Sequence, residues 1–431
     1  MPETKVVLIG AGSSNFGFFS LCDAVNTPSL QGSTLTLVDI DAKKLRVMRK
    51  IADLMNKKTG ARLKIEHTVY RKEALSGAKF VVMSIAVDRM NRWRLDWEIP
   101  VKHGIRQVIG ENGGPGGLSH TLRNVPMIME ICRDIEDLCP DALLINYTNP
   151  LSRVCLAINR YSRVKAVGLC HELKHQLEQF SEILEVDPDE LDAISAGLNH
   201  FAWILDLRFK KTGEDAYPLL REKLRSFDSS FQPLCRELFE KFGFYPNTDS
   251  NHAGEYVPYA WDKCPEELRG LNWINMNDYY GEWTLKYIDE IITGKALLEE
   301  AFEISKVSGE RAFRIIEAIV ENRNQIELAV NIPNEGHISN LPQGAIVEIP
   351  ALVNNSGVHG LHIGHLPKGI ASLCNTQIAV QDLAVEAAIT GDRNKALQAL
   401  LIDPVVQDLD AAERSLDELL RVHAPYLPQF K

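Results

Sequence analysis

At 431 residues, 45% hydrophobic and 24% charged, the chain is long enough for two packed domains and has the make-up of an ordinary globular protein. A net charge of −11 supplies no basic footprint, which excludes a nucleic-acid partner and leaves any anionic ligand dependent on a local cationic pocket. Eight cysteines without framework spacing, no signal-like leader and no apolar run near the ~20 residues of a membrane span predict a reduced, cytoplasmic protein with no membrane partner.

Residues 5–10 are a short continuous apolar run, as in a strand buried on both faces of a parallel sheet. The run enters Gly10-Ala11-Gly12-Ser13-Ser14-Asn15. Gly10 allows a tight turn, and Gly12 lets the backbone approach a pyrophosphate at a helix N-terminus. The third fingerprint position holds Asn15 instead of glycine, and Gly17 follows two residues later. A second strand over 34–38 ends at Asp39, whose carboxylate can accept both ribose hydroxyls and would repel a 2′-phosphate, so NAD is favoured over NADP. The competing role for Asp39 is capping the next helix. Predicted cofactor contacts are therefore Gly10, Ala11, Gly12, Ser13, Asn15 and Asp39.

Strand-like runs continue at 80–86, 142–146 and 165–169, with amphipathic helices at 42–56, 120–138 and 151–161. This alternation predicts an α/β fold, a Rossmann-type doubly wound parallel sheet whose ligand crevice lies at the strand C-termini. Between them, Arg89, Arg92 and Arg94 stand beside Trp93 and Trp97. Guanidinium forks suit a carboxylate and indole faces suit a sugar ring; the alternative is a helix with its tryptophans packed inward. Residues 110–117 are glycine-rich and carry Glu111 and Asn112, which suits a loop whose backbone comes close to a ligand or, more plainly, a surface turn.

Further on, Cys170 and His200 each follow an apolar run that reads as a strand. A thiolate and an imidazole at neighbouring strand ends would make half of a transition-metal site, although either residue alone also reads as a buried structural group. Beyond His200, an alternating strand at 201–208 precedes helices at 217–225, 232–242, 284–292 and 310–322. Short strands at 344–350 and 358–366 and helices at 376–389, 394–401 and 405–423 complete an α+β cap. The expected domains are 1–200, binding NAD, and 201–431, the substrate cap.

Taken in order, the glycine turn at 10–13, Gln107 and Glu111 ahead of the glycines at 114–117, residues 121–126, residues 146–150, Cys170-His171-Glu172 and residues 197–200 form one pattern. The chain resembles glycoside hydrolase family 4, the NAD- and divalent-metal-dependent glycosidases whose fold is similar to that of lactate and malate dehydrogenases. The resemblance spans residue 5 to at least 262. It implies a redox-assisted elimination: hydride passes from sugar C3 to NAD, a base takes the acidified C2 proton, the aglycone leaves, water adds and the hydride returns.

The resemblance also implies roles. Cys170 and His200 would hold Mn²⁺ or another divalent transition metal, and His171 or Glu172 would be the general acid. Asp249 would be the C2 base, with Glu255 and Tyr256 as rivals and His252 lining the site or touching the metal. Arg89, Arg92, Glu111 and Asn149 would contact substrate; Asn149 has an alternative as an Asn-Pro turn initiator. A Cys-His pair resembles the branch acting on unphosphorylated glycosides, and Glu172 after it resembles the branch acting on α-galacturonides, with α-glucuronides and α-galactosides as alternatives. A uronate carboxylate would also explain the arginines. A homodimer or homotetramer is expected. The rivals are an NAD-dependent dehydrogenase of a sugar acid or hydroxy acid and a non-catalytic NAD sensor, neither of which needs a Cys-His metal pair.

Overall fold

The computed structural model describes residues 4–307 and 310–430. Six parallel strands, β1 (Lys5–Ile9), β2 (Thr34–Val38), β3 (Lys64–Thr68), β4 (Phe80–Met83), β5 (Leu143–Asn146) and β6 (Lys165–Gly168), lie in the order β3-β2-β1-β4-β5-β6. The order reverses between β1 and β4, which opens a crevice at their C-termini. Alternate residues serve opposite faces: Val6, Leu8, Val82 and Ile145 join one core, and Val7, Ile9, Val81, Met83 and Leu144 the other. Each such side chain, taken from water, contributes roughly 1.5–3 kcal/mol, so both faces must be covered.

Helices do this. Ala42–Thr59 turns Leu45, Met48, Ile51, Ala52 and Met55 inward at helical spacing and is capped by Asp41, whose side chain accepts the Lys43 and Lys44 amides. Gly114–Leu138 covers the opposite face with Leu118, Leu122, Val125 and Ile128. That helix starts six residues earlier than the periodicity predicts. The glycines at 114, 116 and 117 belong to its first turn, because there the backbone packs too closely for side chains: a Cβ on Gly116 would lie 2.3 Å from the Gly110 carbonyl oxygen.

The sheet does not end at β6. Strands β7 (Leu191–Leu198), β8 (Phe201–Phe209), β9 (Tyr245–Pro246), β10 (Gln325–Pro333), β11 (Ile346–Asn354) and β12 (Gly357–Gly360) are antiparallel and extend it in the order β6-β10-β11-β7-β8-β9, with β12 beside β11. Two joins are narrow: β6 meets β10 through Gly168 and Asn331, and β11 meets β7 through Gly197 and Glu348. The strand expected at 358–366 is short because residues 361–363 leave the ladder. The helix expected at 284–292 begins at Gly270, its exposed aromatics having hidden the apolar stripe in the sequence. Among the described residues, no helix is long and apolar enough to cross a membrane.

A closed charge cluster fastens the helices Arg89–Lys102 and Gly114–Leu138 to the C-terminal end of the chain. Asp96 accepts both Arg123 Nη1 (2.7 Å) and Nη2 (2.5 Å), lies 2.8 Å from His423 Nε2, and Arg123 also reaches Ser119 Oγ at 2.8 Å. All three ionisable groups are buried. Burial opposes the Asp96 charge, but Arg123 and His423 together outweigh it and hold the carboxyl far below the usual range.

Candidate active site

At one end of the crevice lies the glycine turn. Gly10 adopts φ +91°, and a Cβ there would fall 1.8 Å from the Ser84 carbonyl oxygen. Its amide and that of Ala11 donate to the Val38 carbonyl. Asp39 accepts the Gly12 and Asp41 amides, both at 2.8 Å. Because Asp41 caps the following helix, Asp39 is left at the end of β2 beside the turn. A Cβ on Gly17 would lie 2.2 Å from the Ala11 carbonyl oxygen, so this residue provides the close helix–turn packing expected of a third glycine. The Ser13 amide closes the turn on the Gly10 carbonyl, and Asn15 Oδ1 accepts from Thr284 Oγ1 at 3.1 Å. Ile40, 79% exposed, offers an apolar face next to the Asp39 carboxylate. This cradle of close backbone, with the Asp39 carboxylate at its edge, fits a dinucleotide.

At the other end, Cys170, His171 and Glu172 follow β6 and open the helix Glu172–Leu184. His200 lies in the turn between β7 and β8 at φ +57°, an uncommon conformation for a residue with a Cβ. The Cys170 sulfur and His200 Nε2 stand 3.3 Å apart, with Glu172 Oε1 4.0 Å from the same nitrogen. Cys170, Glu172 and His200 offer donor atoms all within 4.8 Å of one another, as do His200, His252 and Glu255. Sulfur, nitrogen and oxygen converging on one point suit a borderline divalent transition metal.

The electrostatics point the same way. Burial, then the Glu172 and Glu348 carboxylates, push the Cys170 thiol well above its usual range, while burial followed by His252 and His171 holds His200 well below its own. Burial and Asp249 raise Glu172. His171 falls to about 4, chiefly through burial and then His175. Burial would lower His252 too, but its bond to Glu255 and the nearby Glu172 lift it to about 9. A divalent cation at this point would favour the thiolate and use the imidazole lone pair, relieving both penalties.

The glycine-rich segment is wrapped around one of the protein's own carboxylates rather than left open to a ligand. Glu255 Oε1 accepts the amides of Glu111 (2.6 Å), Asn112 (2.7 Å) and Gly113 (3.2 Å), and its Oε2 faces His252 Nδ1 at 3.3 Å. This anchoring sets Asn112 Nδ2 3.2 Å from His200 Nδ1. On the far side, Glu348 Oε2 accepts Asn199 Nδ2 (3.0 Å) and Asn331 Nδ2 (2.9 Å), fixing the turn that carries His200.

The other predicted residues are scattered around this centre. Asp249 accepts the side-chain amides of Gln179 (3.1 Å) and Gln232. The Tyr256 hydroxyl lies 3.5 Å from the Asn199 carbonyl, its ring against Phe201. Asn149 precedes Pro150 in a cis peptide bond, and its carbonyl accepts Asn124 Nδ2 at 2.7 Å. Arg89 pairs with Glu111 at 2.8 Å. Arg92 is committed to Asp88 and the Tyr426 ring, and Arg94 to Asp278. The tryptophans follow the inward alternative: Trp93 is buried with its Nε1 on the Ile109 carbonyl, and Trp97 packs against Gly270.

Gly17, Ile40, Asn331 and Glu348 were not among the predicted site residues. Asn331 and Glu348 had one legible signal, a polar residue within an otherwise apolar strand: Val330-Asn331-Ile332 and Val347-Glu348-Ile349.

Residues 5–186 match the sequence profile of the family 4 glycosyl hydrolases, and residues 195–406 that of the family 4 glycosyl hydrolase C-terminal domain. An α-glucosidase of Erwinia rhapontici is 36% identical, covering 99% of this chain and 100% of its own. An α-galactosidase of Rhizobium meliloti is 33% identical over 100% of this chain and 90% of its own, and an α-galacturonidase of Bacillus subtilis is 30% identical over 98% of each. In three dimensions, a 6-phospho-α-glucosidase from gut microorganisms, solved with NAD and Mn²⁺, matches with a TM-score of 0.86 at 23% identity over 100% of both chains. A malate dehydrogenase of Plasmodium falciparum matches with a TM-score of 0.53 at 16% identity, over 90% of this chain and 98% of its own. The Rossmann-type fold with a C-terminal α+β part is therefore the one expected from the strand pattern, and its dehydrogenase-like character the one the family resemblance implied.

Proposed function

The chain belongs to family 4 of the glycosyl hydrolases, and on that premise we propose that it cleaves unphosphorylated α-glycosides with NAD and a divalent metal, Mn²⁺ foremost, as cofactors. The 3.3 Å approach of Cys170 to His200 beside Glu172, in a sheet that also carries the dinucleotide turn, is the observation that carries this reading. NAD, when bound, takes up and returns a hydride, and the metal acts as a Lewis acid on the oxidised sugar. The turn at 10–13 and Asp39 orient the cofactor in residues 1–200. Residues 201–431 bring His252, Glu255 and Tyr256 to the sugar, and the active unit is a cytoplasmic homodimer or homotetramer.

Cys170 and His200 hold the metal. Burial raises the Glu172 carboxyl, and a carboxyl of that kind that stays off the metal can give its proton to the departing oxygen. His171, neutral above about 4, has no proton of comparable acidity to give, so Glu172 is the preferred acid. Asp249 is the preferred acceptor of the C2 proton. The Tyr256 phenol, pushed well above its usual range by burial and Glu255, is second. Asn149 and Glu111 offer hydrogen bonds to sugar hydroxyls.

For the sugar itself, neutral α-hexosides come first. The charge of Arg89 is already matched by Glu111, while Arg92 and Arg94 have acidic partners of their own. The names of the more similar relatives, an α-glucosidase and an α-galactosidase, agree with this. An α-galacturonide is the second reading, favoured by Cys170-His171-Glu172 and by the Arg89 guanidinium, 41% exposed.

Chromogenic α-glucoside, α-galactoside and α-galacturonide, offered with NAD and Mn²⁺ under reducing conditions, rank these substrates. Aglycone release without net NADH, accompanied by deuterium uptake at C2 in D₂O, is the expected result. Steady accumulation of NADH would instead make the protein a dehydrogenase.

A further inference from the structure

We infer that Asn112 is a positioning residue whose side-chain carboxamide, accepting through Oδ1 from Nδ1–H, fixes the His200 tautomer that leaves Nε2 free to bind a metal. The inference rests on the assignment of His200 as a metal ligand made above.

Its geometry is unusually constrained. The Asn112 carboxamide lies 3.2 Å from His200 Nδ1, and His200 Nε2 lies 3.3 Å from the Cys170 sulfur. A metal needs the Nε2 lone pair. The neutral ring then carries its single proton on Nδ1, where an amide N–H pointing at it would clash donor with donor. Histidine ligands depend on an acceptor at the second nitrogen to fix ring and tautomer. The acceptor is at hand: Asn112 Oδ1 is buried without a hydrogen-bond partner, on the same carboxamide. A half-turn of that group exchanges the two ends and moves nothing else.

The backbone beneath cannot follow the side chain. The amides at 111–113 are held by Glu255 Oε1, and a Cβ on Gly113 would fall 2.4 Å from the Glu255 carbonyl oxygen. A Cβ on Gly117 would lie 2.5 Å from the Asn112 carbonyl carbon. The glycine-rich segment is thus a rigid mount for one carboxamide, which accounts for its composition where direct ligand contact does not. Asparagine suits the position because it alone among similar side chains offers a donor and an acceptor at equal reach.

The test uses the full chain with NAD present and Mn²⁺ titrated calorimetrically into the wild type, Asn112→Leu and Asn112→Asp, each also in a His200→Ala background. Asn112→Leu should weaken Mn²⁺ roughly 10–100-fold, the usual cost of losing such a partner. Asn112→Asp, which can only accept, should bind at least as tightly as wild type. Neither change should matter once His200 is alanine. Nitrogen-15 spectra should show Nδ1–H on His200 in Asn112→Asp. The inference is overturned if Asp is as weak as Leu, if Leu matches wild type, or if the effects persist without His200. If His200→Ala alone leaves Mn²⁺ affinity intact, the metal assignment itself fails. Should Asn112→Leu not fold, Asn112→Asp and its spectrum still decide the matter.

Discussion

Two buried clusters of ionisable groups divide the work of this molecule. In the first, Asp96 faces a bidentate Arg123 and His423, so the carboxylate meets its opposite charge within the protein. In the second, Cys170, Glu172 and His200 converge, and thiol, carboxyl and imidazole are all displaced toward their neutral forms. The first is wholly buried, and in the second Glu172 and His200 are buried with Cys170 half-buried. A closed set of charges fastens helices together, whereas a set of donors held toward their neutral forms is incomplete as a fastening and suited to take up a cation.

The difference can be broken most severely at the incomplete cluster. Cys170→Ser or His200→Ala should lower turnover by on the order of 10³-fold, the loss of several kcal/mol of transition-state stabilisation. Denaturation midpoints should barely move, since these residues hold no helix in place; paired kinetics and urea melts check this. Asp96→Asn should do the reverse. It leaves Arg123 buried beside a neutral amide and should cost about 3–5 kcal/mol of stability, with activity per folded molecule unchanged. If Asp96→Asn abolished activity in protein that still melts like wild type, the contrast would be wrong.

A smaller effect sharpens the boundary between cofactor and metal ends. Gly17→Ala forces a methyl toward the Ala11 carbonyl oxygen. It should weaken NAD binding by about 1–3 kcal/mol in a fluorescence titration while Mn²⁺ affinity stays near wild type.

The gentlest probe is pH. In the chelated protein the folded-state pKa of Glu172 is raised, so folding retains a proton that the unfolded chain releases. Stability should therefore decline as pH rises from 4.5 to about 8, and Glu172→Gln should flatten that decline. Asp96 has the opposite sign. Its folded-state pKa is depressed, so its contribution is present above the unfolded value of 3.8 and fades as pH falls further below it. Thermal melts across pH, with and without chelator, separate the two slopes.

The parallel half of the sheet was legible because its strands are continuous apolar runs, each followed by a helix of clear period. Cys170 and His200 were legible because strand ends are where such folds place chemistry, and they meet at bonding distance. What sequence could not disclose was pairing across long separations. Glu255 looks like one acidic residue in a polar loop until it is found holding amides more than 140 positions away. The arginines at 89, 92 and 94 invite a carboxylate, but their acidic partners at 111, 88 and 278 lie partly in distant segments. Likewise the length of Gly270–Ile292 was masked by its exposed Tyr279, Tyr280 and Trp283.

The narrow joins of the sheet carry a consequence for how the protein fails. Gly168 precedes Cys170 by two positions and Gly197 precedes His200 by three, and among the described residues each is the one rung linking its strand to the next. Breathing at either rung would part sulfur from imidazole long before the remaining ladders let go. Heat should therefore silence the enzyme ahead of its melting, with amide exchange quickening first along that seam.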